Sequence, residues 1–222
     1  MRILLPEAKN SLAPIGIFGG AFDPIHFGHL RAALEIAEKF LLAKVYFVPC
    51  QTPVHKAPTV AAAPHRMAML NLAVKKEVGF CVDDREIQRE TPSYMVETLH
   101  SFREEFGRER SLALILGADA LLGLTAWREW EKIFDLAHII VVSRETQKLR
   151  LSPELRAVLN FRKNKNPQTI FNSVAGDVFF QRVTRLDISS SLIRTKLAKQ
   201  QSPHYLVPEV VLEYIQQEGL YV

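Results

Sequence analysis

Short apolar runs alternate along the chain with longer stretches in which apolar positions recur every three or four residues. The runs at 15–18 (IGIF), 44–50 (KVYFVPC), 80–84 (FCVDD), 112–119 (LALILGAD), 138–144 (HIIVVSR) and 177–183 (DVFFQRV) read as strands. Between the first two, Leu30, Ala33, Leu34, Ala37 and Leu41 fall at helical spacing and predict a helix over 27–40. Segments 65–77, 93–106, 190–199 and 208–217 read as further helices, and a Trp-rich helical piece follows 119. Strands that are apolar almost throughout belong to a sheet covered on both faces, because neither face meets water. The expected fold class is α/β, a single doubly wound parallel sheet. Two segments break the rhythm: the proline-punctuated loop QTPVHKAPTVAAAP, too long for a plain connector, and the stretch after Arg144 through NKNPQTIFN.

Length and composition narrow the picture further. The chain has 222 residues, 48% hydrophobic and 23% charged, enough for one large core, with no internal repeat or convincing linker. The expected division is an N-terminal extension over 1–14 and a single domain over 15–222. A net charge of +4 is mild, and apart from RKNK at 162–165 the basic residues are scattered. Small anionic ligands suit that balance better than a polynucleotide, which normally needs a basic stripe, so no nucleic-acid partner is expected. Two cysteines, Cys50 and Cys81, are too few for a disulfide framework or a Cys-based zinc site. The opening MRILLPEAKN has only a short apolar run before proline and charge, and no later run reaches membrane-spanning length. A cytoplasmic protein with no membrane partner is expected. The sequence leaves open whether it acts as one copy or as a homo-oligomer.

The densest chemistry lies at 18–34, FGGAFDPIHFGHLRAAL. In a doubly wound sheet, ligands bind outside the carboxyl ends of the strands, and this segment begins where the first strand ends. Gly19 and Gly20 are expected to turn the backbone tightly and let it approach a ligand. The spacing is not G-x-G-x-x-G, and no G-x-x-x-x-G-K-[ST] occurs anywhere in the chain. Pro24 and the following helix put His26 and His29 near a helix start, where unpaired N–H groups and the helix dipole favour anions. Gly28 between them leaves room for a phosphate chain, so the residues point to an oligophosphate cradle built without a P-loop. A zinc site lacks an evident third ligand and the H-E-x-x-H spacing, and no protein metal site is expected.

GGAFDPIHFGH resembles the H-x-G-H signature of the nucleotidyltransferase superfamily. It is closer still to the pattern G-G-[TS]-F-D-P-x-H-x-G-H of bacterial nicotinate-nucleotide adenylyltransferases. The resemblance spans almost the whole chain, through VPxxxPxHK at 48–56, PSY at 92–94, LGAD at 116–119, WREWEKI, DISSSLIR at 187–194 and the closing LVPEVVLEYIQQEGLY. It implies a Rossmann-like fold of the nucleotidyltransferase type. The implied activity is adenylyl transfer from ATP to nicotinate mononucleotide, giving deamido-NAD and pyrophosphate in NAD biosynthesis, with Mg²⁺ accompanying the ATP.

The resemblance also assigns residues whose chemistry alone is ambiguous. DISSSLIRTKL could be a serine N-cap with a surface arginine; the family reading makes Ser189, Ser190, Ser191 and Arg194 a grip on ATP phosphates opposite the histidines. Asp119 either accepts from ribose hydroxyls or caps the next helix, and the family reading favours the nucleotide, together with Gly19, Gly20, His26 and His29. His26, His29 and Arg194 would be the catalytic groups. On the acceptor side the resemblance names Ser93, Tyr94 and Met95, whose backbone amides would hold the nicotinate carboxylate, with serine as a plain helix cap the alternative. It adds Trp127 for stacking on the pyridine ring, and His55, Lys56 and Arg144 near phosphate; Trp130 is left to the core. Ala21 stands in place of the family's threonine or serine, Met95 in place of a threonine, and Glu-Thr in place of Pro-Gly after Arg144. Competing readings are a nicotinamide mononucleotide or phosphopantetheine adenylyltransferase, or a non-catalytic ATP-binding sensor. A class I aminoacyl-tRNA synthetase is disfavoured by the absence of a KMSKS-like loop.

Overall fold

The computed structural model describes residues 13–52, 58–89, 92–143 and 150–222. His55, Lys56, Arg144 and most of the expected N-terminal extension lie outside the described residues. One seven-stranded sheet organises the rest: β1 (Ile15–Gly20), β2 (Lys44–Pro49), β3 (Phe80–Val82), β4 (Leu112–Gly117), β5 (His138–Ser143), β6 (Lys163–Asn164) and β7 (Val178–Arg182). Their order across the sheet is β3-β2-β1-β4-β5-β7-β6. Every pairing is parallel. The chain therefore winds one way from β1 to β3 and the other way from β4 onward, as the apolar runs predict. The direction reverses between β1 and β4, the place where such sheets open a crevice.

Successive side chains of a strand face opposite sides, and two apolar layers follow. Ala113 and Ile115 of β4 join a core with α1 (Phe27–Phe40), α2 (Ala63–Val74), α7 (Ser190–Ala198) and α8 (Glu209–Gln217). Leu112, Leu114 and Leu116 of the same strand join the other core, with α3 (Met95–Phe106), α4 (Ala118–Leu122), α5 (Ile133–Leu136) and α6 (Pro153–Arg162). The helix that follows β1 shows how the spacing works. Ala32, Ala33, Ile36, Ala37 and Phe40 are its buried face, and it ends where Leu41 turns left-handed at φ 49°.

The differences from the sequence expectation are local. The segment after 150, read as loosely ordered, contains α6, the two-residue edge strand β6 and a 3₁₀ turn over Pro167–Phe171. Serine at the N-cap and proline at the first helical position start α6: the Ser152 hydroxyl accepts from the Leu155 N–H at 3.3 Å. The Trp-rich piece is not one helix but a broken run, with 3₁₀ turns at Leu124–Ala126 and Trp130–Lys132. Trp127 falls in the extended gap between them. Glu129, left-handed at φ 50°, is where that run bends.

Candidate active site

β1 does not turn at its glycines. Gly19 and Gly20 stay in register with Val48 and Pro49 of β2, and the backbone reverses afterwards, at Phe22 with φ 49°. The expected glycine turn is thus corrected. What Gly19 supplies is room, since a Cβ there would lie 2.6 Å from Met95 Cε. The missing Cβ leaves the space that the Met95 methyl fills, and a side chain there would make that methyl move.

The reversal delivers His26 to the N-cap of α1 in an extended conformation, and His29 one turn on. The two imidazoles stack, with ring centroids 3.7 Å apart and planes 22° from parallel. His26 is buried, and His29 also stands edge-on to Phe22 at 5.2 Å. Packing thus fixes both rings at the positive end of a 14-residue helix.

Beneath them lies a residue that the sequence reading passed over. Arg66 of α2 is fully buried, and its guanidinium is spent on backbone carbonyls. Nε donates to Ala61 O at 3.2 Å and Nη1 to Ala21 O at 2.7 Å. Nη2 donates to Cys50 O at 2.7 Å and to Gln51 O at 3.0 Å. One fork ties the segments that follow β1 and β2 to the start of α2, so the cleft rests on a buried positive charge.

The far wall is α7. Ser189 is its N-cap, the hydroxyl accepting from the Leu192 N–H at 3.2 Å, and Ser190 Oγ donates to Pro24 O at 2.9 Å. The capping alternative therefore holds for Ser189. Arg194 Nη1 donates to the main-chain oxygen of Asp23 at 2.6 Å. The Ser190 hydroxyl and the Arg194 guanidinium thereby fasten α7 to the loop that carries the histidines.

On the other side, Tyr94 rather than Ser93 is the N-cap of α3. Ser93 is no plain cap: its hydroxyl accepts from the Gln51 N–H at 3.2 Å, tying the approach to α3 to the end of β2. Glu86, also unremarked in the sequence, is buried beside it and accepts from Thr98 Oγ1 at 2.7 Å. Burial pushes the Glu86 carboxyl above the usual carboxylate range, against the opposing pull of Thr98, Arg89 and Ser93. Asp119 stands in the first turn of α4, past the end of β4; a Cβ on Gly117 would lie 2.6 Å from its Oδ1. Arg128 lies over the Tyr94 ring at 4.8 Å and pairs with Glu97 at 3.0 Å.

These pieces border one cleft of about 1170 Å³ over the β1–β4 reversal. Gly19, Gly20, His26, His29 and Asp119 line it, with Ser189, Ser190, Ser191 and Arg194. So do Ser93, Tyr94, Met95 and Trp127. Every site residue expected from the sequence that lies among the described ones is therefore in one place. Trp130 is not in the cleft; it is half-buried at the margin of the core, edge-on to Phe134 at 6.1 Å. Glu86, Arg128 and Arg185 are cleft residues that the sequence reading did not name.

The profile of the cytidylyltransferase-like family matches residues 17–196. A protein of Methylococcus capsulatus named "probable nicotinate-nucleotide adenylyltransferase" is 44% identical over 208 residues, 93% of this chain and 99% of that one. The chain belongs to the nicotinate-nucleotide adenylyltransferase family. A Legionella pneumophila member with the same name is 41% identical, covering 93% of this chain and 98% of its own. The fold is shared more widely. The solved Plasmodium falciparum nicotinic acid mononucleotide adenylyltransferase, complexed with NaAD, superposes with a TM-score of 0.71 at 18% identity, over 94% of this chain and 97% of that one. Family membership gives the cleft its reading as a nucleotide site, and the family's signature stretch is the one that carries the stacked histidines.

Proposed function

We propose that this chain transfers the adenylyl group of ATP to nicotinate mononucleotide, giving deamido-NAD and pyrophosphate. One observation carries the reading: the histidine pair at the start of α1 and Arg194 of α7 face a single cleft, which also holds the α3 start and Trp127. A phosphate oxygen of the mononucleotide attacks the α-phosphorus of ATP, and the bond from that phosphorus to the bridging oxygen of pyrophosphate breaks. The attacking phosphate is already anionic at neutral pH, its second pKa being about 6, so no general base and no covalent nucleophile is required. The barrier lies in bringing two anions together while negative charge moves onto the leaving group.

Positioned cations and N–H donors lower such a barrier. His26, His29 and Arg194 would surround the phosphates of ATP, and Asp119 would accept from the ribose hydroxyls. The buried charge of Arg66 adds a positive potential from below. Mg²⁺ would enter on the ATP, held mostly by phosphate oxygens and water. Trp127 offers a flat face to the pyridine ring, and the backbone N–H groups at the start of α3 suit its carboxylate. Among the described residues no helix is long and apolar enough to cross a membrane, and we place the enzyme in the cytoplasm, beside its ATP.

An amide in place of the carboxylate would set an NH₂ donor against backbone donors. Leaving such groups unpaired costs about 1–3 kcal/mol each, so a preference of roughly a hundredfold for the acid is expected. The test is pyrophosphate release from Mg–ATP with a panel of phosphorylated acceptors. Nicotinate mononucleotide should give the highest kcat/KM. Equal values for acid and amide, or a preference for the amide, would reject the acid-specific reading.

A further inference from the structure

Asp23 lines the cleft, yet it is buried, and its carboxylate serves three separate parts of the chain. Its Oδ2 accepts from the Val60 N–H at 2.8 Å, and its Oδ1 accepts from the Ala61 N–H at 3.0 Å. Oδ1 also accepts from the Tyr221 hydroxyl at 2.8 Å. The same residue meets Arg194 twice, through its main-chain oxygen at 2.6 Å and through Oδ2 at 3.6 Å from Nη1. Tyr221, the penultimate residue, does not line the cleft. Its backbone is left-handed at φ 66°, a conformation that a bulky residue keeps only where its surroundings fix it.

We infer that Asp23 is a positioning residue for the nucleotide half of the site, and that Tyr221 is the hook that holds it in place. The inference rests on the reading of Arg194 as a nucleotide-phosphate ligand. A buried carboxylate must have its acceptor sites filled, and Asp23 draws those donors from elements that are far apart in sequence. With Oδ1 and Oδ2 committed, its backbone oxygen has one position, and Arg194 is aimed from that oxygen. The 58–61 segment, whose Pro58 and Thr59 line the cleft, is aimed from the same carboxylate. Burial, and next the Asp23 carboxylate, push the Tyr221 phenol far above its ordinary range, so it remains a proton donor at any pH the enzyme meets. The end of the chain thereby becomes part of the ATP site without touching ATP.

The test uses the full chain with Tyr221→Phe and Asp23→Asn. The first removes one hydroxyl and keeps the buried ring; the second keeps the shape and sets an NH₂ among donors. The readouts are the Kd of Mg²⁺ with a non-hydrolysable ATP analogue, the Kd of nicotinate mononucleotide, and the melting temperature. Tyr221→Phe should weaken analogue binding about tenfold, through the loosened Asp23 and Arg194, and leave the mononucleotide within about twofold. Asp23→Asn should weaken the analogue further with the same split. Unchanged analogue affinity in Tyr221→Phe overturns the inference, as does an equal loss for both ligands that follows a fall in melting temperature. Tyr221→Phe decides the matter even where Asp23→Asn does not fold. A wild-type chain that binds the analogue yet forms no pyrophosphate with the mononucleotide overturns the proposed reaction and leaves this inference to the binding data.

Discussion

Arg66 and His138 are both ionisable, both fully buried, and neither stood out in the sequence. Arg66 lies under the cleft and gathers the carbonyls of segments that follow β1 and β2. His138 begins β5 at the opposite, amino end of the sheet, where Nε2 donates to Ser173 O at 3.0 Å and Nδ1 accepts from the Asp177 N–H at 3.1 Å. Burial lowers the His138 pKa below the ordinary 6.5, so the ring is neutral and acts as a two-ended strut between β5 and the segment before β7. Burial alone therefore does not mark function. What separates the two is where their partners lie: at the carboxyl ends of the strands a buried ionisable group shapes a ligand site, and at the amino ends it closes the core.

That contrast breaks first at Arg66. Arg66→Met fills the space and leaves four carbonyls without a donor. A loss of about 4 kcal/mol is expected, or roughly 8–16 °C in Tm for a chain of this size. Differential scanning calorimetry checks it, and a drop under about 2 °C would mean that the fork is dispensable.

Glu86→Gln is a smaller and signed effect. Because burial raises the Glu86 pKa, its ionisation is a cost to the folded state. Stability from this group is present below the ordinary 4.5 and is lost as pH rises through the higher folded value. The Tm of Glu86→Gln relative to wild type should therefore rise between pH 4.5 and pH 8. A flat or falling difference contradicts it.

The smallest effect belongs to His138 and carries the opposite sign. With a lowered folded pKa, its contribution is complete above 6.5 and fades as pH falls toward the folded value. On titration from pH 8 its ring should still be more than half neutral at pH 6.5. Half-titration near 6.5 would show that burial does not govern this ring.

The same contrast explains what the sequence could and could not reveal. The parallel sheet was legible because strands such as β4 are apolar at every position, and the histidine pair because its glycines, proline and spacing are contiguous. A serine cap was one of two readings open for DISSSLIR, and Ser189 fills it. Arg66 was not, because an arginine inside HRMAML looks like any solvated helix residue until the carbonyls of Ala21 and Cys50 are brought to it. Asp23 and Tyr221 stand 198 positions apart, and no local pattern links them. The reversal at Phe22 gave no signal either, since an aromatic residue is a poor candidate for positive φ and the neighbouring glycines are better ones. α6 was lost for a different reason: its buried positions are only Leu155 and Leu159, too few for a periodic stripe.

The central claim is that stacked imidazoles at the start of α1 stabilise the charge that develops on the phosphates. The direct measurement is the turnover of His29→Ala with Mg–ATP and nicotinate mononucleotide saturating, alongside its Tm. Loss of one donor of this kind costs about two to three powers of ten in kcat, so a fall of that size with Tm held within about 2 °C is the predicted result. Turnover within a few-fold of wild type would contradict the cradle and return His29 to the role of a packed helix residue.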